Sequence, residues 1–301
     1  MTKGKLGIIY ALTAATSMGT IAIFAKMAYS FGATPLTMLT IRFGMASIML
    51  WGYLYWQKQI EKIGKKQLLS FALLGVVYGL SSLLFFVAIT LTSASIATLL
   101  LYTAPVFVVV ISVLIGDERL TIYKLISVII TTVGLYLVLD LSVDTVNLKG
   151  VLVGMGSGFF YCLFIVGGNR FSAGINPLLV TACTIPATFV FHLCVSLATN
   201  QLHLAQPPLV WVYGALMALF GTAIGIGFIY KAVQLVGASK TAIITAIEPA
   251  ITIALAAIIF SERMSLLQFI GGALIIGAII IINVSKAQTV SEEGVPEQHR
   301  A

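Results

Sequence analysis

Residues 237–265 read GASKTAIITAIEPAITIALAAIIFSERMS, and residues 92–121 read TSASIATLLLYTAPVFVVVISVLIGDERLT. A shift of 144 positions lays one on the other. Ala94-Ser95 falls on Ala238-Ser239, Pro105 on Pro249, Ile115 on Ile259, and Glu118-Arg119 on Glu262-Arg263. Matches such as Ala88 with Ala232 or Leu91 with Leu235 arise easily between apolar helices. The proline and the Glu-Arg pair, held in one register, do not. The chain reads as two copies of one unit.

Composition says where such a unit lives. Of 301 residues, 59% are hydrophobic and 9% charged, against roughly 45–50% and about 25% in a soluble domain. There are too few polar side chains to cover a surface in water, so the chain is read as an integral membrane protein. A helix rising 1.5 Å per residue needs about 20 apolar residues to cross a hydrocarbon core about 30 Å thick. Ten runs qualify: 6–28, 34–56, 68–90, 94–115, 122–141, 150–171, 177–198, 209–233, 239–260 and 266–284. A β-barrel would show short alternating segments instead, so the expected fold is all-α with ten transmembrane helices. The first run is too long for a secretory signal and lacks a cleavage site, and is read as an uncleaved span. Connectors are short; the longest are QKQIEKIGKKQ (57–67) and the polar tail 288–301, expected to be disordered.

Charge sets the orientation. With the N-terminus in the cytoplasm, 13 of the 17 basic residues fall on inner segments, only Lys149 and Arg263 on outer ones, and Lys26 and Arg42 within spans. Basic residues of short loops stay on the cytoplasmic side, which places both termini inside, in the plasma (inner) membrane of a bacterium. The +7 charge is thereby explained, and no nucleic-acid partner is expected. Five spans per copy is an odd number, so the second copy enters from the opposite side. The expected organisation is a first repeat at 1–141, an outer connector at 142–149, a second repeat at 150–285 and a cytoplasmic tail at 286–301. Inverted repeats recur in secondary transporters, whose site lies at the repeat interface where helices are interrupted. Here the interruptions are Pro105 and Pro249.

The small-residue entry, mid-helix proline and acidic-basic exit of the two quoted segments resemble the repeats of EamA-type members of the drug/metabolite transporter superfamily. The second copy adds Gln268 and Gly271-Gly272; the first departs from that element with Lys124 and Ser127-Val128. The likeness runs from about Gly7 to Val284. It implies a ten-helix transporter of small metabolites, often an exporter of amino acids or related compounds.

Glu248 is the only charged residue from Thr241 to Phe260 and lies near mid-span. Thr241, Thr245, Glu248 and Thr252 follow at intervals of four, three and four, a polar stripe on one helix face. An acidic group at that depth costs about 2.5–3.5 kcal/mol and usually marks an ion path, a proton relay or a substrate contact. The alternative is a protonated acid bracing the break at Pro249, which frees the Thr245 carbonyl. Pro105 frees the Leu101 carbonyl in the same way, but Ala104 stands opposite Glu248, so one charged site is expected. Arg42, roughly 10 Å into its span, suits a substrate carboxylate or an acidic partner. Lys26 reads as snorkelling to the outer headgroups. Tyr78, Phe85 and Tyr102 are the aromatic candidates for a pocket, ahead of Tyr161 and Tyr230. His192 reads as a neutral, hydrogen-bonded residue, and Asn169 as a helix cap or solute contact. Cys162, Cys183 and Cys194 read as packing residues, and Gly75-Gly79, Gly150-Gly154-Gly158, Gly214-Ala218 and Gly221-Gly225 as close helix approaches.

The function expected from all this is alternating-access movement of a small metabolite, an amino acid or related compound, outward and with proton coupling through Glu248. Export of drugs or other cationic compounds is the alternative. An intramembrane enzyme would need a catalytic constellation, and no HExxH occurs; no GxxxxGK[ST] loop occurs to power transport by hydrolysis. No cofactor or metal is expected. The partners expected are a small-molecule substrate, the lipid bilayer and protons, with a homodimer left open.

Overall fold

The computed structural model describes residues 3–58, 62–115, 122–139, 147–171, 175–236, 241, 244–245 and 247–293. Among these, every regular element is a helix. Five helical stretches are long and apolar enough to cross a membrane: Lys3–Tyr29, Lys65–Leu91, Leu148–Gly168, Leu178–Ala198 and Pro208–Ile229.

Several of the ten apolar runs are not straight rods. The first divides into α1 (Lys3–Gly19) and α2 (Ile21–Tyr29), where the Thr20 hydroxyl turns back onto the Ser17 carbonyl at 2.7 Å. Then come α3 (Pro35–Gln57) and α4 (Lys65–Leu91). The fourth run is two helices, α5 (Ala94–Leu101) and α6 (Ala104–Leu114), with Pro105 in the first turn of α6. Thr103 donates its hydroxyl to the Leu100 carbonyl at 2.6 Å. Gly158 presses on this break, since a methyl built there would lie 3.1 and 3.2 Å from the Leu100 and Leu101 carbonyl oxygens. After α7 (Ile122–Leu139), α8 (Leu148–Phe171) and α9 (Pro177–Ala198), the eighth run splits into α10 (Pro208–Leu216), a π-helical segment Met217–Ile224 and α11 (Gly225–Val236). In the ninth, α12 (Glu248–Phe260) begins at the acid itself. Finally, α13 runs from Leu266 to Glu293. It therefore extends eight residues past the 285 boundary expected for a disordered tail, because Ala287, Gln288, Glu292 and Glu293 suit a helix leaving the bilayer. Glu118-Arg119 and residues 294–301 lie outside the described residues.

The halves pack by exchange. Helix α8 of the second half lies on α4 and on α5–α6 of the first, while α1 of the first lies on α11 and α12 of the second. Likewise α4 meets α9, and α3 meets α10 and the π segment. Helices α3 with α9, α5 with α12, and α7 with α13 pair with their own counterparts. Small residues bring the backbones together as expected. A methyl on Gly75 would lie 2.6 Å from both the Thr184 carbonyl oxygen and Ala187 Cβ, and Thr188 donates to the Gly75 carbonyl at 2.9 Å.

Lys26 is not a snorkelling residue. Its Nζ meets Glu262 Oε1 at 2.5 Å, since a desolvated partner 236 positions away binds an ammonium better than distant headgroups do. Glu262 also accepts from Ala94 N (3.1 Å), Ser95 N (3.3 Å) and Ser95 Oγ (2.7 Å). The amides open α5, so the carboxylate caps that helix from the other half of the chain. Burial pushes the Glu262 carboxyl up, but Lys26, Ser95 and Ala94 outweigh it and hold it below the usual value. A depressed folded value gives stability that is full above the ordinary carboxylate range, about 4.3, and lost as pH falls through the folded value. Glu262→Ala should thus cost about 2 kcal/mol at neutral pH. In detergent melts, its deficit against the wild type should close below about pH 4.

Candidate functional site

A cavity of about 360 Å³ opens where the halves meet, inside the roughly 300–1,000 Å³ range of small-molecule sites. Helix α12 brings Thr245, just before it, together with Glu248 and Thr252. Because α12 starts at Glu248, the carboxylate sits on the first turn, where unpaired amides favour an anion. Thr252 bridges Glu248 and the break in α1, donating to the Gly19 carbonyl at 3.0 Å and lying 3.3 Å from the Glu248 carbonyl oxygen. Opposite, α4 presents Tyr78, Ser81, Ser82 and Phe85, one face at intervals of three, one and three. Tyr102, at the end of α5, turns its phenol toward Glu248.

Arg42 comes from α3 and is 4% exposed. Its guanidinium lies over Phe43 at 4.8 Å and Phe86 at 5.9 Å, with the Tyr78 phenol beside it. Its Nε has no hydrogen-bond partner. The ion pair found among the described residues is Lys26–Glu262; Arg42 and Glu248 face the same cavity without touching. A buried cation in an apolar medium is costly unless paired.

All six sequence-derived candidates, Glu248, Thr245, Tyr78, Phe85, Tyr102 and Arg42, line this one cavity. Pro105 and Pro249 stand in the first turns of α6 and α12, the helices whose starts flank it. Lys26 lies outside it. Tyr161, ranked lower in the sequence, is in the wall, stacked with Phe164, which stacks on Tyr78. The side chains of Tyr230 and Asn169 lie outside the described residues. Ser81 and Ser82 also line the cavity, and their spacing from Tyr78 and Phe85 on one helix face is the signal the sequence holds for them. His192 is fully buried behind the wall, 3.0 Å from Ser82 Oγ and flat on Phe43. Cys162, Cys183 and Cys194 are free thiols.

The model of the EamA-like transporter family matches this sequence twice, over residues 5–140 and 148–284. The chain belongs to that family. It is a membrane transporter built from tandem EamA repeats. Among its relatives, the uncharacterized transporter YyaM of Bacillus subtilis is 25% identical over 302 residues, covering 95% of this chain and 98% of YyaM. The threonine/homoserine exporter RhtA of Escherichia coli K12 is 25% identical over 293 residues, covering 96% of this chain and 93% of RhtA. A crystal structure at 16% identity superposes with a TM-score of 0.66 over 91% of this chain and 97% of that one, a likeness of fold. The cavity is lined by residues of both EamA repeats, from Met18 to Ala104 in the first and from Tyr161 to Thr252 in the second.

Proposed function

We propose that this EamA protein exports a small amino acid across the plasma membrane by alternating access. Ten spans, both termini inside, and repeats at 1–141 and 150–285 related by inverted topology complete the picture. One observation carries the substrate assignment: a basic and an acidic side chain, Arg42 and Glu248, line one cavity without a salt bridge joining them. A zwitterion joins them, its carboxylate on Arg42 and its ammonium against Glu248 and Tyr102. Tyr78 holds the Arg42 end, and Phe85 closes the apolar side. Thr245 and Thr252 line the Glu248 end. The naming of RhtA as a threonine/homoserine exporter supports the same class.

Glu248 also suits proton coupling. It is the acidic residue of this cavity, and a carboxyl that exchanges a proton for a substrate ammonium links the two fluxes. Pro105 and Pro249 interrupt α5–α6 and α12 at the cavity, giving each repeat a place to bend during rocking. Export of cationic drugs draws support from the aromatic wall, but Arg42 repels a solute carrying only positive charge. Proteoliposomes loaded with radiolabelled amino acids, under an imposed pH gradient, test the reading. Saturable efflux that follows the gradient is the expected result. Efflux of cationic drugs with amino acids inert would overturn it.

A further inference from the structure

Besides the phenols of Tyr78, Tyr102 and Tyr161, five serine and threonine hydroxyls line the cavity, and each of these five has its proton committed to the backbone. Ser81 donates to the Ser157 carbonyl at 3.0 Å, Ser82 to Gly79 at 2.9 Å and Thr98 to Ala94 at 2.7 Å. Thr245 donates to Thr241 at 3.1 Å and Thr252 to Gly19 at 3.0 Å. A carbonyl only accepts, so chemistry sets the direction of every one of these bonds. A hydroxyl has one hydrogen and two lone pairs. With the hydrogen committed, the group meets a solute as an acceptor.

Ser82 is held most firmly. Its hydrogen lies on the Gly79 carbonyl, so the 3.0 Å contact with His192 is satisfied only if the imidazole donates from Nε2. The other ring nitrogen, Nδ1, is then a bare lone pair, matching its position without a partner. The ring is pinned against Phe43, centroids 5.4 Å apart and planes 6° from parallel. Turning the Ser82 hydroxyl toward the cavity would break its bond to Gly79 and put its hydrogen in competition with that of His192.

We propose that this acceptor wall selects solutes by a donor on the side chain, with Ser82 as a specificity-determining residue and His192 as its positioning residue. The preferred cargo is a small amino acid carrying a side-chain hydroxyl. This rests on the amino-acid reading, in which Arg42 and Glu248 hold the two backbone charges and Ser82 reads a third group. A cationic side chain would bring a second positive charge near Arg42 in low dielectric. An acidic one would set lone pairs against lone pairs. An apolar isostere would leave buried acceptors unpaired, the situation in which hydrogen-bonding sites discriminate most strongly.

L-Threonine and L-valine have nearly the same shape, so competition between them isolates the hydroxyl. In reconstituted wild-type protein, threonine should inhibit labelled amino-acid exchange at least about 10-fold more strongly than valine. Ser82→Ala should bring that ratio toward one. His192→Phe, which keeps the ring on Phe43 but removes the donor, should do so too. His192→Gln, which retains an N–H, should preserve much of the ratio, an outcome that a purely structural histidine would not give. Equal inhibition by both amino acids in the wild type, or a ratio that survives both Ser82→Ala and His192→Phe, would overturn the proposal while leaving amino-acid transport in place. Failure of either amino acid to compete would instead strike the amino-acid reading itself.

Discussion

Arg42→Met will give a folded protein that has lost its grip on amino acids. A charge-assisted contact to a carboxylate contributes about 1.5–3 kcal/mol, so apparent affinity should fall about 10- to 150-fold. Stability moves little. Burying the unpaired guanidinium costs about 2.5–3.5 kcal/mol, and its place over Phe43 and Phe86 returns about 0.5–2 kcal/mol for each ring. Melting should therefore stay within about 2 kcal/mol of the wild type. Had Arg42 served to brace the fold through a buried pair, its removal would cost about 3–5 kcal/mol. Detergent melts and equilibrium binding separate the two roles. Wild-type affinity in the Met variant would remove Arg42 from the site.

Glu248→Gln will abolish accumulation driven by a pH gradient while exchange of amino acid for amino acid continues at raised concentration. The amide keeps the side chain's size and a polar group facing Tyr102, but it cannot take up or release a proton. Affinity for the ammonium should drop by about 10- to 150-fold, as for any lost ionic hydrogen bond. Stability should hold or rise, because a neutral amide at this depth carries no charge to desolvate. A glutamine variant that still concentrates solute against the gradient would show that the coupling proton travels elsewhere.

What the sequence could reveal follows from the range of each signal. The repeat was readable because a proline and a Glu-Arg pair stand out against apolar helices. The break at Tyr102–Thr103 followed, since Pro105 dictates it locally. The break in the first span did not: Thr20 makes it, and nothing in a string distinguishes that threonine from Thr13 or Thr16, which donate to i−4 carbonyls without interrupting α1. The π segment Met217–Ile224 is likewise tertiary in origin, its Gly221 and Gly225 lying against Ile21 and Met18. Glu248 and Arg42 were conspicuous because charge is rare in an apolar run. Ser81 and Ser82 were not, because serine in such a helix usually serves packing. The partner of Lys26 is not legible locally, because Glu262 lies 236 positions along the chain and a single span offers only the headgroups.

The traded contacts between the halves bear on how the protein could ever come apart. Helices α1 and α8 each find their largest neighbours across the seam, so severing the α7–α8 connector would strip both fragments of the surfaces they were shaped to cover. Two such pieces made in one membrane would meet adhesive faces on each other, and reunion would be their natural fate.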